Sequence, residues 1–401
     1  MRKNGINREL VPILGGVCAP SGFSAGGIHC GFLQNDDSRE DLALIVAEKR
    51  CSIAGLFAVQ KTRGAPAIVS EKRLKRGLAR AIVVNSGVAN LFESGTALAE
   101  SVCAEVEKYA KIPKEEVLIA STGLIGKSLS LETFSHGIQS LVGKLGSKNE
   151  DSLSAARAIM TNDKSVKQLS FAFDLGGYAC KIGAICKGGK NVCPNMATTL
   201  CFLTTDVNIS SPVLQKALSS VARDSLNLLC ADGNSSPNDT VFIMANGNAG
   251  NYRIDCEDTE YKKFVYILGE VMLRICRVLA LDGDEERTLW TCRVKGVRSK
   301  QTARALCKSL ASAEGIKKGF SERKVDVQSV ICAVHDTGEA VKMETLSVSI
   351  ATEKGNLLLF EDGKLMPVSS EVENGILQAK EAELTVAFLD GNFSASAITV
   401  V

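Results

Sequence analysis

The sequence predicts a layered α/β sandwich with a smaller α/β unit at its C-terminal end. Three observations point there. Short apolar runs rich in β-branched residues, bounded by Gly, Asn or Asp, have the length of strands, and longer segments with helical periodicity lie among them. The two kinds alternate along the chain instead of sorting into blocks, which is the order expected when helices cover sheets. Finally, the acidic stretch from Asp282 to Thr288 marks a boundary, after which residues 285–401 form the smaller unit.

In chain order, strands are expected at 41–47, 52–58 and 80–85, with a helix at 70–78 between the last two. A helix at 96–110 and a strand at 116–121 come next, then helices at 131–141 and 152–160. Strands at 168–173, 179–186 and 198–206 form the middle of the chain. A helix at 211–228 opens on Ser211-Pro212, which reads as an N-cap followed by proline at the first helical position. A strand at 240–246 and a helix at 258–281 lead to the boundary, and the C-terminal unit is read as strands at 290–294, 327–334, 344–350 and 383–388 with a helix at 301–316.

Composition narrows the function. The 401 residues are 45% hydrophobic and 23% charged with a net charge of +2, so no basic field exists to collect nucleic acid or an anionic membrane. Aromatic residues are 5%, which disfavours a base-stacking surface. The 14 cysteines are scattered, mostly within apolar stretches, and are expected to be reduced and buried. Cys186, Cys193 and Cys201 are too widely spaced for a zinc knuckle, and only 3 histidines are present, so neither a metal nor another cofactor is expected. No apolar run has the length of a signal peptide or membrane span, and a cytoplasmic protein acting on small molecules is the expectation.

The most unusual segment is Cys186-Lys187-Gly188-Gly189-Lys190-Asn191-Val192-Cys193-Pro194-Asn195-Met196-Ala197-Thr198-Thr199-Leu200. Its glycines and lysines lack the spacing of a nucleotide-binding loop, and taken alone they describe a turn. The unbroken Pro194-Asn195-Met196-Ala197-Thr198 run, with Lys187, Gly188 and Leu200, resembles the autocleavage site of the ornithine acetyltransferases (glutamate N-acetyltransferases). Further stretches resemble that family in the same order: Gly15 to His29, Asp41 to Ile45, Asn85-Ser86-Gly87-Val88-Ala89-Asn90, Ala120-Ser121-Thr122-Gly123, Met160-Thr161-Asn162-Asp163 and Ala231-Asp232-Gly233 through Asp239-Thr240.

The resemblance implies a self-processing α/β sandwich that splits between Ala197 and Thr198. It would leave an alpha fragment, 1–197, and a beta fragment, 198–401, two copies of each forming the assembly. A threonine hydroxyl needs a base, and cleavage frees an α-amine with a pKa near ~8 on the same residue, so no histidine is required. Thr198 is then the nucleophile, and Thr122 and Gly123 match the family's oxyanion-hole pair. Thr161, Lys187, Thr198 and Asp284 match positions that contact the substrate, although a lysine in a glycine loop is by default exposed. The implied reaction moves acetyl from N-acetylornithine to glutamate through acetyl-Thr198, and some members also use acetyl-CoA. His29, His136 and His335 match no catalytic position and are read as structural.

Four departures bear on the substrate. Val88 stands where the family has Asn, followed by Leu91-Phe92-Glu93-Ser94, so a polar lining is expected to be lost. Asp284 replaces a glutamate, beside an unexpected Glu285. The family's Asp-Pro-Asn-Trp-Gly segment is absent near Phe320 to Val325, and its terminal Asn and Ser/Thr have no counterpart before Val401. Two other readings therefore stay open: an acyltransferase or amidase for another N-acyl amino acid, and a catalytically silent homologue.

Overall fold

The computed structural model describes residues 10–33, 38–58, 63–91, 95–188, 199–230, 236–284 and 286–401. They divide into two compact units, the first made of the described residues up to 188, 199–221 and 236–271, and the second of 222–230 and those from 272 to 401.

The first unit contains β1 (Val11–Pro12), β2 (Phe23–Ile28), β3 (Leu42–Phe57), α1 (Ala65–Leu74), β4 (Leu78–Asn85), α2 (Gly95–Ala110) and β5 (Val117–Ser121). It continues with α3 (Leu131–Val142), α4 (Asn149–Ala158), β6 (Lys167–Leu175), β7 (Tyr178–Lys187), β8 (Leu200–Thr205), α5 (Ser211–Arg223) and β9 (Thr240–Ala245), and α6 (Thr259–Leu281) runs past its end. The strands are ordered β1-β6-β7-β8-β9-β3-β4-β5, with β2 also paired to β3. Only β8–β9 and β4–β5 are parallel among these described pairs.

β3 joins two halves of this sheet. The expected strands 41–47 and 52–58 are one strand, bent where its register with β4 jumps from Val46↔Ala81 to Cys51↔Ala79. The exposed Glu48, Lys49 and Arg50 sit at the bend, so the charge that makes the sequence look interrupted marks a bulge. Before the bend β3 pairs with β2 and β4, and after it with the start of β4 and with β9.

Side chains from both halves share one core. Ala43, Ile45, Ile82, Val84, Leu118 and Ala120 pack with Ile53, Ile185, Phe202, Phe242 and Met244, together with Ala155 and Ile159 of the α4 region. The alternate residues Leu42, Leu44, Val83, Val117 and Ile119 face the other way, onto Val102 and Val106 of α2 and Phe134, Ile138 and Leu141 of α3. This period-two division is what a sheet buried on both faces requires. Ser211 does not cap its own helix: its hydroxyl accepts from the Ile53 N–H at 3.1 Å and donates to the Gly77 carbonyl, tying α5 to β3.

The second unit comprises β10 (Leu289–Val297), α7 (Lys300–Ser312), α8 (Glu314–Ser321), α9 (Val327–His335), β11 (Ser347–Thr352), β12 (Gly355–Glu361), β13 (Lys364–Leu365), α10 (Ser370–Ile376), β14 (Glu381–Ala387) and β15 (Phe393–Val400). Its sheet order is β13-β12-β11-β14-β10-β15, and Trp290, Cys292, Val294, Val348, Leu384 and Val386 pack with Leu306 and Leu310 of α7 and Val330 of α9. Two expectations are corrected here. The 301–316 helix is two helices broken at Ala313. The 327–334 strand is the helix α9, begun by Asp326, whose carboxylate accepts from the Gln328 N–H at 3.0 Å and the Ser329 hydroxyl at 2.5 Å.

Most cysteines of the described residues are buried and none is disulfide-bonded, while Cys256 and Cys332 are exposed. Burial pushes the Cys51 and Cys186 thiols up to about 12, so they stay protonated at neutral pH and behave as small hydrophobes. No helix among the described residues is long and apolar enough to cross a membrane.

Candidate active site

The bend in β3 determines which strand ends meet. Leu42, before the bend, is in register with Asn85 at the end of β4, and Asn85 with Ser121 at the end of β5. Phe57, after it, is in register with Thr240, and Thr240 with Leu200, which faces Lys187 at the end of β7. Thr122 and Lys187, far apart along the ladder, are brought within 3.4 Å through the lysine Nζ and the threonine Oγ1.

Thr122 leaves β5 with its own N–H donated to the Asn85 carbonyl at 3.0 Å. Its hydroxyl is therefore the group it can aim at a ligand. Gly123 has φ of +133°, and a Cβ there would lie 2.2 Å from the carbonyl carbon of Gly87. Only glycine fits so close a backbone approach. The Leu124 N–H donates to the Gly87 carbonyl at 2.9 Å, whereas no hydrogen bond among the described residues engages the Gly123 N–H. The turn is pinned from below, where the Ser121 hydroxyl donates to Asn85 Oδ1 at 2.5 Å and Asn85 Nδ2 to the Val88 carbonyl at 2.9 Å.

Val88 itself is buried and bridges Leu124 in parallel fashion. Its carbonyl helps to hold the turn by accepting from Asn85 Nδ2.

Lys187 is not an exposed loop lysine. It is 0% exposed as the last residue of β7, and its ammonium donates to Thr161 Oγ1 at 2.7 Å as well as to Thr122. Asp163 supports it from behind: one carboxylate oxygen lies 3.9 Å from Lys187 Nζ and accepts the Thr161 N–H at 3.1 Å. The other accepts Lys167 Nζ at 3.0 Å and the Gly188 N–H at 2.7 Å. Burial alone would raise the Asp163 pKa, but the charges of Lys187 and Lys167 and the donated hydrogen bonds outweigh it and hold the carboxyl below its usual range.

Asp239, at the foot of β9, is the second buried carboxyl. Its Oδ1 accepts the Thr199 N–H at 2.6 Å and its Oδ2 the Ser236 N–H at 3.3 Å. Burial pushes its pKa up to about 8, in spite of those two bonds and the nearby Lys187 charge.

The structure therefore gathers Thr122, Gly123, Thr161 and Lys187 into one cluster. Ala197 and Thr198 lie outside the described residues, as do residues 92–94, 189–196, 231–235 and Glu285. Asp284 belongs to the second unit, where its N–H donates to the Leu281 carbonyl at 2.8 Å, one carboxylate oxygen accepts the Glu286 N–H at 3.1 Å and the other lies 3.7 Å from Arg287 Nε. Asp163 and Asp239 lie in stretches that resemble the family, but sequence reading gave neither a role in the site. Asp163 pairs with Lys167 four positions on, but these residues form no helix on which that spacing would announce the pair, and nothing local in the sequence distinguishes Asp239 from a turn aspartate.

The ArgJ family model matches residues 24–400. The "Arginine biosynthesis bifunctional protein ArgJ" of Caldanaerobacter subterraneus subsp. tengcongensis is 31% identical over 384 residues, covering 95% of this chain and 94% of that one. The protein of the same name from Lactococcus lactis subsp. lactis is 35% identical over 308 residues, 76% of each chain. A crystal structure of ornithine acetyltransferase from Mycobacterium tuberculosis, complexed with ornithine, aligns with 40% of this chain and 88% of that chain at 28% identity and a TM-score of 0.37.

Proposed function

The chain belongs to the ArgJ family, and from that premise we propose that it is a self-cleaving acyltransferase of arginine biosynthesis, moving acetyl from N2-acetylornithine to glutamate. The cluster at Lys187 carries the reading: a buried ammonium bonded to two threonine hydroxyls, beside a glycine whose N–H is left for a ligand.

Maturation comes first. The Thr198 hydroxyl adds to the Ala197 carbonyl and the peptide C–N bond breaks, which frees the α-amine of Thr198; water then hydrolyses the resulting ester, leaving a carboxylate on Ala197 and the hydroxyl of Thr198 free. That amine, with a pKa near ~8, takes the hydroxyl proton when Thr198 Oγ1 attacks the acetyl carbonyl of the donor. The oxygen that gains charge accepts from the Thr122 hydroxyl and the Gly123 N–H; removing one such donor typically costs ~100- to 1,000-fold. Ornithine leaves with the proton. The amine of glutamate then attacks acetyl-Thr198 and regenerates the enzyme.

Lys187 and Thr161 hold the amino-acid part of the substrate, the ammonium facing its α-carboxylate. Acetyl-CoA serves as a second donor, in line with the word bifunctional in the relatives' names. We place the protein in the cytoplasm, as two copies of each fragment.

Mass spectrometry tests the proposal. The purified protein should appear as fragments 1–197 and 198–401, with an acetyl group on the second after incubation with N-acetylornithine. Thr198→Ala should remain whole. An unsplit wild-type chain, or release of acetate without transfer to glutamate, would overturn it.

A further inference from the structure

Asp239 has no part in the chemistry above, yet it holds the residue next to the nucleophile. The N–H of Thr199 donates to its carboxyl at 2.6 Å, while the carbonyl of Thr199 accepts the Thr240 N–H at 3.0 Å. Both backbone groups of Thr199 are thereby taken by consecutive residues at the foot of β9. Asp239 is itself fixed: its carbonyl accepts the Ala58 N–H at 3.1 Å, its second carboxyl oxygen accepts from Ser236, and the residue is 0% exposed. On its far side β8 begins at Leu200, in register with Lys187.

We propose that Asp239 is a positioning residue for Thr198. By holding the Thr199 amide, it sets the direction in which β8 presents the residue before it, both for self-cleavage and for acyl transfer. The inference rests on Thr198 being the nucleophile. A carboxyl at this place also carries a cost that packing alone does not explain, since a buried acid without a charged partner in hydrogen-bond contact is pushed toward its neutral form, here to about 8. A well-oriented acceptor for one N–H is what the site gains.

The test uses the full chain with three substitutions. Asp239→Ala removes the acceptor, Asp239→Asn keeps an oxygen at the same reach, and Asp239→Glu keeps the carboxyl but lengthens it by one methylene. Splitting is followed after synthesis on denaturing gels and by mass spectrometry, kcat and KM are measured on matured protein, and thermal unfolding reports the fold. Asp239→Ala and Asp239→Glu should each slow splitting at least ~10-fold and lower kcat with KM for the donor unchanged within about twofold, as a displaced nucleophile requires. Asp239→Asn should stay within about threefold of wild type in both. Should Asp239→Ala fail to fold, the Asn and Glu variants decide alone. Splitting of Asp239→Glu at the wild-type rate, or Asp239→Asn as slow as Asp239→Glu, overturns the inference. A wild-type chain that never splits would instead overturn the proposed function.

Discussion

Lys187 is fully buried at the end of a central strand, and desolvating an ammonium is costly unless polar partners replace its water. Asp163 and the hydroxyls of Thr161 and Thr122 are among those partners, and Asp163 brings a compensating charge. Asp163→Asn should cost about 3–5 kcal/mol in denaturant-induced unfolding, the range for breaking a buried ion pair by neutralising one side. The folded pKa of Asp163 lies below its usual 3.8, so its contribution is complete above that value and disappears as pH falls through the lower folded one. Asp239 has the opposite sign. Its folded pKa is raised from 3.8 to about 8, so the advantage it gives is full below 3.8 and is lost as pH rises through about 8. The wild-type protein should therefore lose stability between about pH 4 and 8 by an amount that Asp239→Asn abolishes; equal pH slopes for the two would refute the assignment. Gly123→Ala should reduce kcat at least ~100-fold, since its methyl group would have to displace the Gly87 carbonyl and with it the oxyanion turn.

Among the elements, those whose two faces meet different surroundings were legible. The alternation along 80–85 and 116–121 reads directly as strands because Ile82, Val84 and Leu118 face one core and Val83, Val117 and Ile119 the other. Residues 327–334 misled for a physical reason: Val-Gln-Ser-Val-Ile-Cys-Ala-Val is β-branched and apolar, yet its buried members, Val327, Val330, Ala333 and Val334, recur at helical spacing. The Asp326 carboxylate decides between the two by satisfying N-terminal donors of the helix. Asp326→Ala should lower the stability of the C-terminal unit by about 1 kcal/mol, read as a shifted midpoint at pH 7. The Ser329 hydroxyl and the backbone donors hold the Asp326 pKa down, so the difference from wild type should vanish as pH falls through that lowered value. Long-range geometry was less visible. The burial of Lys187 depends on β3 bending back, and nothing near residue 187 in the sequence encodes a bend at residues 47–50.

Across the first unit, the proposed break after Ala197 falls between two strands that remain neighbours. The fragment 1–197 supplies β1 to β7, and the fragment 198–401 supplies β8 and β9, which insert between β7 and β3 of the other. β8 is antiparallel to β7 from Ile182↔Thr205 to Lys187↔Leu200, and β9 is antiparallel to β3 from Ser52↔Ala245 to Phe57↔Thr240. Each ladder across the fragment boundary would have to be broken before the fragments could part. Their side chains are equally shared: Leu200, Phe202, Phe242 and Met244 lie in one core with Ile53 and Ile185. At about 1.5–3 kcal/mol per fully buried side chain of this size, those four alone contribute on the order of 6–12 kcal/mol, before any ladder bond is counted. That is comparable with the estimated 4–15 kcal/mol cost of association, so the remaining buried residues and both ladders are surplus. The split protein should accordingly run as one species in native size-exclusion chromatography and resolve into two fragments only in denaturant. Mixing the two fragments after separate expression should recover little activity, because β8 and β9 must enter between strands that would otherwise pair or aggregate. Fragments that separate at neutral pH without denaturant would show that the sheet is not shared in the way these ladders require.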